Sequence, residues 1–122
     1  MDCPFCNISK PIIENKHWLV SFDKYPVTNG HSLIITKHHR KDYFECTKEE
    51  KISLISIIDE LKEYLQKEFN PSGFNIGMNV GEESGQTILH THVHIIPRYK
   101  GDTENPRGGV RGVIPSKQNY DE

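Results

Sequence analysis

The densest chemistry in the chain lies in Leu89-His90-Thr91-His92-Val93-His94-Ile95-Ile96-Pro97-Arg98, where three imidazoles recur at every second residue. A β-strand sends alternate side chains to one face, so His90, His92 and His94 would form a row with neighbours about 6.5–7 Å apart. Thr91, Val93 and Ile95 would turn the other way, into a core packed by a helix. Imidazole titrates near neutrality, so such a row can hold a metal or can supply a nucleophile and proton donors. The residues just before it help to separate these uses. A hydrolytic metal site normally brings a carboxylate, whereas Gly85-Gln86-Thr87 offers neutral donors that suit a phosphate oxygen.

A second group of candidates is Cys3-Pro4-Phe5-Cys6, which has the spacing of half a zinc site and needs two ligands from elsewhere. A zinc finger is excluded, because no histidine pair follows at the required distance and His17 stands alone. A thioredoxin-like role is disfavoured, since the pair precedes no strand-to-helix unit. Cys46 reads as a small half-buried residue. Three cysteines without a secretory leader argue against a disulfide framework.

Strands and a helix are needed to position these groups. Residues 18–22 are rich in β-formers, with 12–14 as a hairpin partner, and the turn Asn29-Gly30 leads into a strand over 31–36. A basic cluster, Lys37-His38-His39-Arg40-Lys41, follows. Thr47 and Glu50 have capping-box spacing and predict a helix over 47–69, with an apolar face of Ile55, Ile58, Leu61, Leu65 and Phe69. Asn70-Pro71-Ser72-Gly73 stops it. A third strand is expected at 74–80 and a last long one at 88–97, with a short helix or turn at the N-terminus. The fold class is therefore α+β, an antiparallel sheet of about five strands with one long helix.

The 122 residues make one domain over 1–122, with a core at about 3–100 and an extension at 101–122. Apolar residues at 34% and charged residues at 26% describe a globular chain. A formal charge of −2 gives no general attraction to nucleic acid and leaves small anions as the fitting ligands. No apolar run approaches the ~20 residues of a membrane span, and Met1-Asp2-Cys3-Pro4 lacks the order of a signal peptide. The expected location is the cytoplasm, without membrane contact.

His90-Thr91-His92-Val93-His94-Ile95-Ile96 resembles the signature of the histidine-triad (HIT) superfamily, histidines alternating with apolar residues, with Thr91 as a mild departure. The resemblance extends to Asp23-Lys24-Tyr25-Pro26 with Gly30-His31, to Lys37-His38-His39, to Asn79 before a glycine-rich loop, and to Gly85-Gln86-Thr87. It spans the chain from Cys3 to about Arg98.

This resemblance implies a HIT-like fold and a nucleotide hydrolase. His92 would attack the α-phosphorus in line and form a nucleotidyl-histidine that water then hydrolyses, with no cofactor in the chemical step. His94 and His31 would contact phosphoryl oxygens or protonate the leaving group, Gln86 and Thr87 would donate hydrogen bonds, and His90 would orient the others or bind metal. Asp23 corresponds to a ribose-binding carboxylate, Asn79 lines the same pocket, and Phe5, Ile8 and Leu33 would wall the base. Bacterial relatives imply a structural zinc on Cys3, Cys6, His39 and His90, with His38 competing for the third place. The family also implies a homodimer. Among substrates, purine dinucleoside polyphosphates such as diadenosine tetraphosphate are favoured by Gln86 and residues 97–102. The alternatives are a nucleoside phosphoramidase and a nucleotide-binding sensor without turnover. The extension would lie over or beside the site, where Arg107 and Arg111 are expected to pair with outer phosphates.

Overall fold

In the computed structural model, which describes residues 3–120, five strands form one antiparallel sheet. They are β1 (Ile13–Glu14), β2 (Trp18–Phe22), β3 (Ser32–Thr36), β4 (Gly73–Gly77) and β5 (His92–Arg98), in the order β1-β2-β3-β5-β4. Among the described residues one α-helix, α1 (Lys48–Phe69), covers one face. Among the described residues no helix is long and apolar enough to cross a membrane.

Local chemistry sets the ends of α1. The Thr47 hydroxyl accepts from the Glu50 amide at 3.1 Å, and the Glu50 carboxylate accepts from the Thr47 amide at 2.7 Å. This reciprocal pair satisfies two of the helix's orphan donors. At the other end Asn70 takes a left-handed conformation, with φ of 50°, ahead of Pro71. Glu50 is buried and also meets Arg40 at 3.0 Å. Burial pushes its carboxyl up, but the Thr47 amide and Arg40 outweigh this and hold it below the usual range.

The core is made by Trp18, Val20, Ile34, Val93 and Ile95 from the sheet and Leu54, Ile57, Leu61 and Leu65 from the helix. The apolar face expected for the helix needs one correction. Ile55 is 65% exposed, and Leu54 and Ile57 take the core positions in that half. The reason is angular: at about 100° per residue, Ile55 lies roughly 100° from the direction shared by Leu54, Leu61 and Leu65. Ile58 and Phe69 fall nearer and are partly buried.

Two strands are shorter than their sequence pattern. β5 begins at His92, not at residue 88, because the Thr91 amide bonds to the Arg40 carbonyl, beyond the end of β3, instead of extending the ladder. β4 stops at Gly77, not at residue 80, since its ladder with β5 ends at the Gly77–His94 pair. The N-terminal residues form a turn, closed by the Cys6 amide on the Cys3 carbonyl at 3.1 Å. Beyond Arg98 there is no α-helix among the described residues, only short 3-10 turns at Gly109–Val113 and Pro115–Lys117.

Candidate functional site

The face of the sheet opposite α1 carries His92, His94, Ile96 and Arg98 from β5, while Val93, Ile95 and Pro97 are buried on the other side. In the ladder with β3, His92 stands opposite Ile35 and His94 opposite Leu33, so these side chains share the histidine-bearing face. Thr91, the departure from the apolar pattern, uses its hydroxyl rather than its methyl to explain its place: it donates to the Arg40 carbonyl at 3.0 Å.

Only two of the three imidazoles form the row. His90 precedes β5 and is fully buried, whereas the His92 and His94 rings lie 5.3 Å apart on the open face. The Nδ1 of His92 lies 2.8 Å from the His90 carbonyl, which can only accept, so Nδ1 carries a proton and, in the neutral tautomer, Nε2 presents the lone pair. A second chain of bonds fixes His94. The Val27 amide donates to His31 Nδ1 at 3.0 Å, which puts the His31 proton on Nε2. That nitrogen lies 2.9 Å from His94 Nδ1, which therefore accepts and leaves its own proton on Nε2. Burial lowers the pKa of both His31 and His94, against the pull of Asp23, so both are neutral near neutrality. A bare imidazole nitrogen thus stands beside an imidazole N–H donor.

Asp23, half-buried at the end of β2, accepts from the Tyr25 amide at 2.9 Å and places its other oxygen 3.4 Å from His31 Nε2. Asp23, His31 and His94 also bring one metal-capable atom each within 4.8 Å of the others. Phe5 packs edge-on against His92, with ring centroids 4.9 Å apart. Leu33 is buried beside His94, Ile8 is half-buried in the N-terminal segment, and Asn79 lines a cavity together with His31 and His94.

Gln86 is placed otherwise than a free phosphate donor would be. Its side chain is 5% exposed, its oxygen accepts from the Gly81 amide at 2.9 Å, and its amide donates to the carbonyls of Lys41 and Ile88 at 2.7 and 3.1 Å. Both amide hydrogens are spent on main-chain carbonyls, one in its own loop and one at Lys41. Thr87 beside it is exposed.

Two cysteines and two histidines make a second cluster. Cys3, Cys6, His39 and His90 each offer one ligand atom, all within 4.8 Å of one another, and His39 rather than His38 is the member. Cys3 Sγ and Cys6 Sγ lie 3.3 and 3.6 Å from His90 Nδ1, and Cys6 Sγ lies 3.3 Å from His39 Nδ1. Tetrahedral zinc with ordinary bond lengths separates sulfur and nitrogen ligands by about 3.6 Å, so the donor set fits. His90 Nε2 donates to the Thr36 carbonyl at 2.8 Å, which leaves Nδ1 bare towards the thiols. The same residue therefore turns its ring to the cysteines and its carbonyl to His92.

A cavity of about 750 Å³ opens beside His31 and His94, and its far wall comes from residues 102–118. The arginines expected to face phosphates lie elsewhere: Arg107 and Arg111 both stand 4.8 Å over the Tyr120 ring. Arg98 is the residue that composition alone did not single out. It bonds both oxygens of Asp102 at 2.7 and 2.8 Å and Asn75 at 2.6 Å, and with the Tyr99 amide holds Asp102 down to about 2.

Comparison with known proteins accords with this geometry. The chain matches the HIT domain family over residues 7–101. It is 38% identical to protein hit of Bacillus subtilis over 83% of this chain and 74% of that protein. An adenylylsulfatase of Arabidopsis thaliana is 34% identical over 83% of this chain and 54% of its own length. A bis(5'-nucleosyl)-tetraphosphatase (asymmetrical) of Schizosaccharomyces pombe is 36% identical over 63% and 42%. Among solved structures, a HIT family protein of Bacillus anthracis aligns with a TM-score of 0.76 at 37% identity, covering 83% of this chain and 76% of the other. A zinc-bound histidine triad family protein of Mycobacterium smegmatis aligns with a TM-score of 0.70 at 29% identity, over 78% and 69%. Matched over most of its length by the family's model, and alike in sequence and fold to HIT relatives, the protein belongs to the HIT domain family.

Proposed function

We propose that this chain is a nucleotide hydrolase that breaks the bond to the α-phosphate through a covalent intermediate on His92, with dinucleoside polyphosphates as its substrates. One observation carries the reading: His92 Nδ1 lies 2.8 Å from the His90 carbonyl, an acceptor, so the neutral ring keeps its proton there and offers Nε2 as the nucleophile. In the first step Nε2 forms a bond to the α-phosphorus, and the bond from phosphorus to the leaving oxygen breaks. The Nε2–H of His94 donates to the oxygen on which charge builds, kept in that tautomer by His31. The positive charge on the His92 ring is met by the His90 carbonyl. In the second step water attacks phosphorus, the N–P electron pair returns to Nε2, and the proton of water leaves to solvent with release of the nucleotide.

In this reading Asp23 receives the ribose hydroxyls and Phe5, Ile8 and Leu33 lie along the base, while Asn79, expected in the same pocket as Asp23 but lining the cavity with His31 and His94, serves the phosphoryl group. Thr87 is a further donor, whereas Gln86 holds the loop that presents it. Zinc held by Cys3, Cys6, His39 and His90 would fasten the N-terminal turn to the sheet; it makes and breaks no bond in the reaction. The chain acts as a homodimer, which a sedimentation measurement tests.

The two relatives named as an adenylylsulfatase and a bis(5'-nucleosyl)-tetraphosphatase support a hydrolase acting next to a nucleotide α-phosphate. Acid quench during turnover of diadenosine tetraphosphate labelled at the α-phosphates is expected to leave label on His92. His92→Ala should lose both label and turnover while still binding adenosine monophosphate. Turnover that survives in His92→Ala refutes the covalent route, and binding without turnover in the parent chain marks a sensor instead.

A further inference from the structure

The cavity beside His94 occupies one side of the histidine row. Asp23 and Leu33 lie on the β2–β3 side, whereas the cavity floor is Asn75, Gly77 and Asn79, on and just beyond β4, and runs along β5 from His94 past Ile96 to Arg98. Its roof is built rather than draped. Gln118 donates to the carbonyls of Asn105 and Arg107, both at 3.1 Å, and Asn105 donates to Asn119 at 2.8 Å, closing residues 105–119 into a loop. A side chain at Gly108 would collide with the Gln118 carbonyl, so close approach of the two strands of the loop requires glycine there, at φ of 90°. The loop also reaches the sheet: a Cβ on Gly109 would sit 3.4 Å from the Asn75 amide nitrogen.

Two properties of this space define its occupant. Val110, Val113, Met78 and Ile96 give it apolar walls, with the amides of Asn75, Asn79 and Asn105 among them. Arg98 is the one lysine or arginine on its lining among the described residues, and it is bonded through two nitrogens to Asp102. Away from its His31–His94 end, such a lining is suited to an uncharged ring system with polar edges, and not to a chain of phosphates. The volume falls within the range of about 300–1,000 Å³ typical of sites for drug-sized ligands.

We infer that residues 102–118 form a leaving-group subsite that takes the second nucleoside of a dinucleoside polyphosphate. The inference rests on the reading of the reaction given above and adds to it the part of the chain that selects the far end of the substrate. The match to the HIT domain family ends at residue 101, so the roof lies outside it.

Diadenosine tetraphosphate and adenosine 5'-tetraphosphate present the same bond to the α-phosphate and the same number of phosphates, and differ in the terminal adenosine and in the extra negative charge of the end phosphate it would esterify, a difference that applies equally to the parent and to the variants below. The parent chain should prefer the former in kcat/KM by tenfold or more. Gly77→Leu fills the floor, where an added Cβ meets nothing within 4 Å. This variant and the Val110→Ala, Val113→Ala pair should each lower that preference about tenfold, chiefly through KM. Binding is read apart from turnover: adenosine should shift the Val110 and Val113 methyl resonances of the parent and fail to do so in Gly77→Leu. Equal kcat/KM for the two substrates in the parent, or unmoved methyl resonances, overturns the subsite. Shifted methyls in a chain that turns over neither substrate would keep the subsite and remove the proposed reaction.

Discussion

Replacing Gln86 by leucine tests whether its amide serves the protein or a substrate. The side chain is 5% exposed and makes three hydrogen bonds, to the Gly81 amide and the Lys41 and Ile88 carbonyls. Leucine is close to glutamine in volume, so the cost is chiefly polar. Each lost bond contributes about 0.5–1.5 kcal/mol net, and a buried donor left unpaired adds to that. Lys41 is exposed and Ile88 and Gly81 are half-buried, so water can reach some of the stranded groups. The sum is about 3 kcal/mol. For a domain of this size, each kcal/mol moves Tm by roughly 3–5 °C, so a fall of about 10 °C is expected. Urea unfolding followed by the fluorescence of Trp18, the one tryptophan and fully buried, measures it. A Gln86→Leu chain that keeps its stability within about 0.5 kcal/mol but loses a hundredfold in kcat/KM would refute this reasoning, because the amide would then act on substrate.

Three other outcomes follow from named contacts. Ile57→Ala should destabilise by about 2–5 kcal/mol while Ile55→Ala stays within about 0.5 kcal/mol, since the first side chain is fully buried and the second 65% exposed; equal losses in urea would put the helix in the wrong rotation. Because burial lowers the pKa of His94, the unfolded chain binds more protons just below the free value, near 6.5. Its stabilising share is therefore complete above pH 6.5 and lost as the pH falls through that value towards the folded one. The loss of stability between pH 7.5 and 5.5 should be smaller in His94→Asn than in the parent, and an equal loss in both would contradict it. Finally, the purified chain should carry zinc in a one-to-one ratio by elemental analysis, and Cys6→Ala should lose the metal and melt at a lower temperature; a metal-free parent of unchanged Tm on zinc addition would count against the cluster as a metal site.

Much of this was legible in the residues. The capping box placed the start of α1 within a residue, because Thr47 and Glu50 satisfy each other locally. The spacing of His92 and His94 put both on one face, and the cluster of Cys3, Cys6, His39 and His90 assembled as the family resemblance implied. What was hidden depended on partners far along the chain. Strand periodicity ran on to residue 88, but the His90 ring is drawn to cysteines more than 80 residues away, and the ladder yields there. A glutamine in a polar loop gives no sign of which way its amide turns. Ile55 and Leu54 are equally apolar, so only the angular centre of the stripe separates them. Residues 101–118 have no period at all, and their use as a wall rests on glycines and on Gln118, whose partners lie 11 and 13 positions earlier.

His90 joins the two clusters through different parts of one residue, the ring towards the thiols and the main-chain oxygen towards His92. Every amino acid has that oxygen, while few have a lone pair to offer in place of the ring. Mutation can thus part the two duties, sparing the alignment of the His92 ring while dissolving the cysteine–histidine knot. Motion cannot, because any swing of the backbone that opened the knot would also turn the oxygen away from His92.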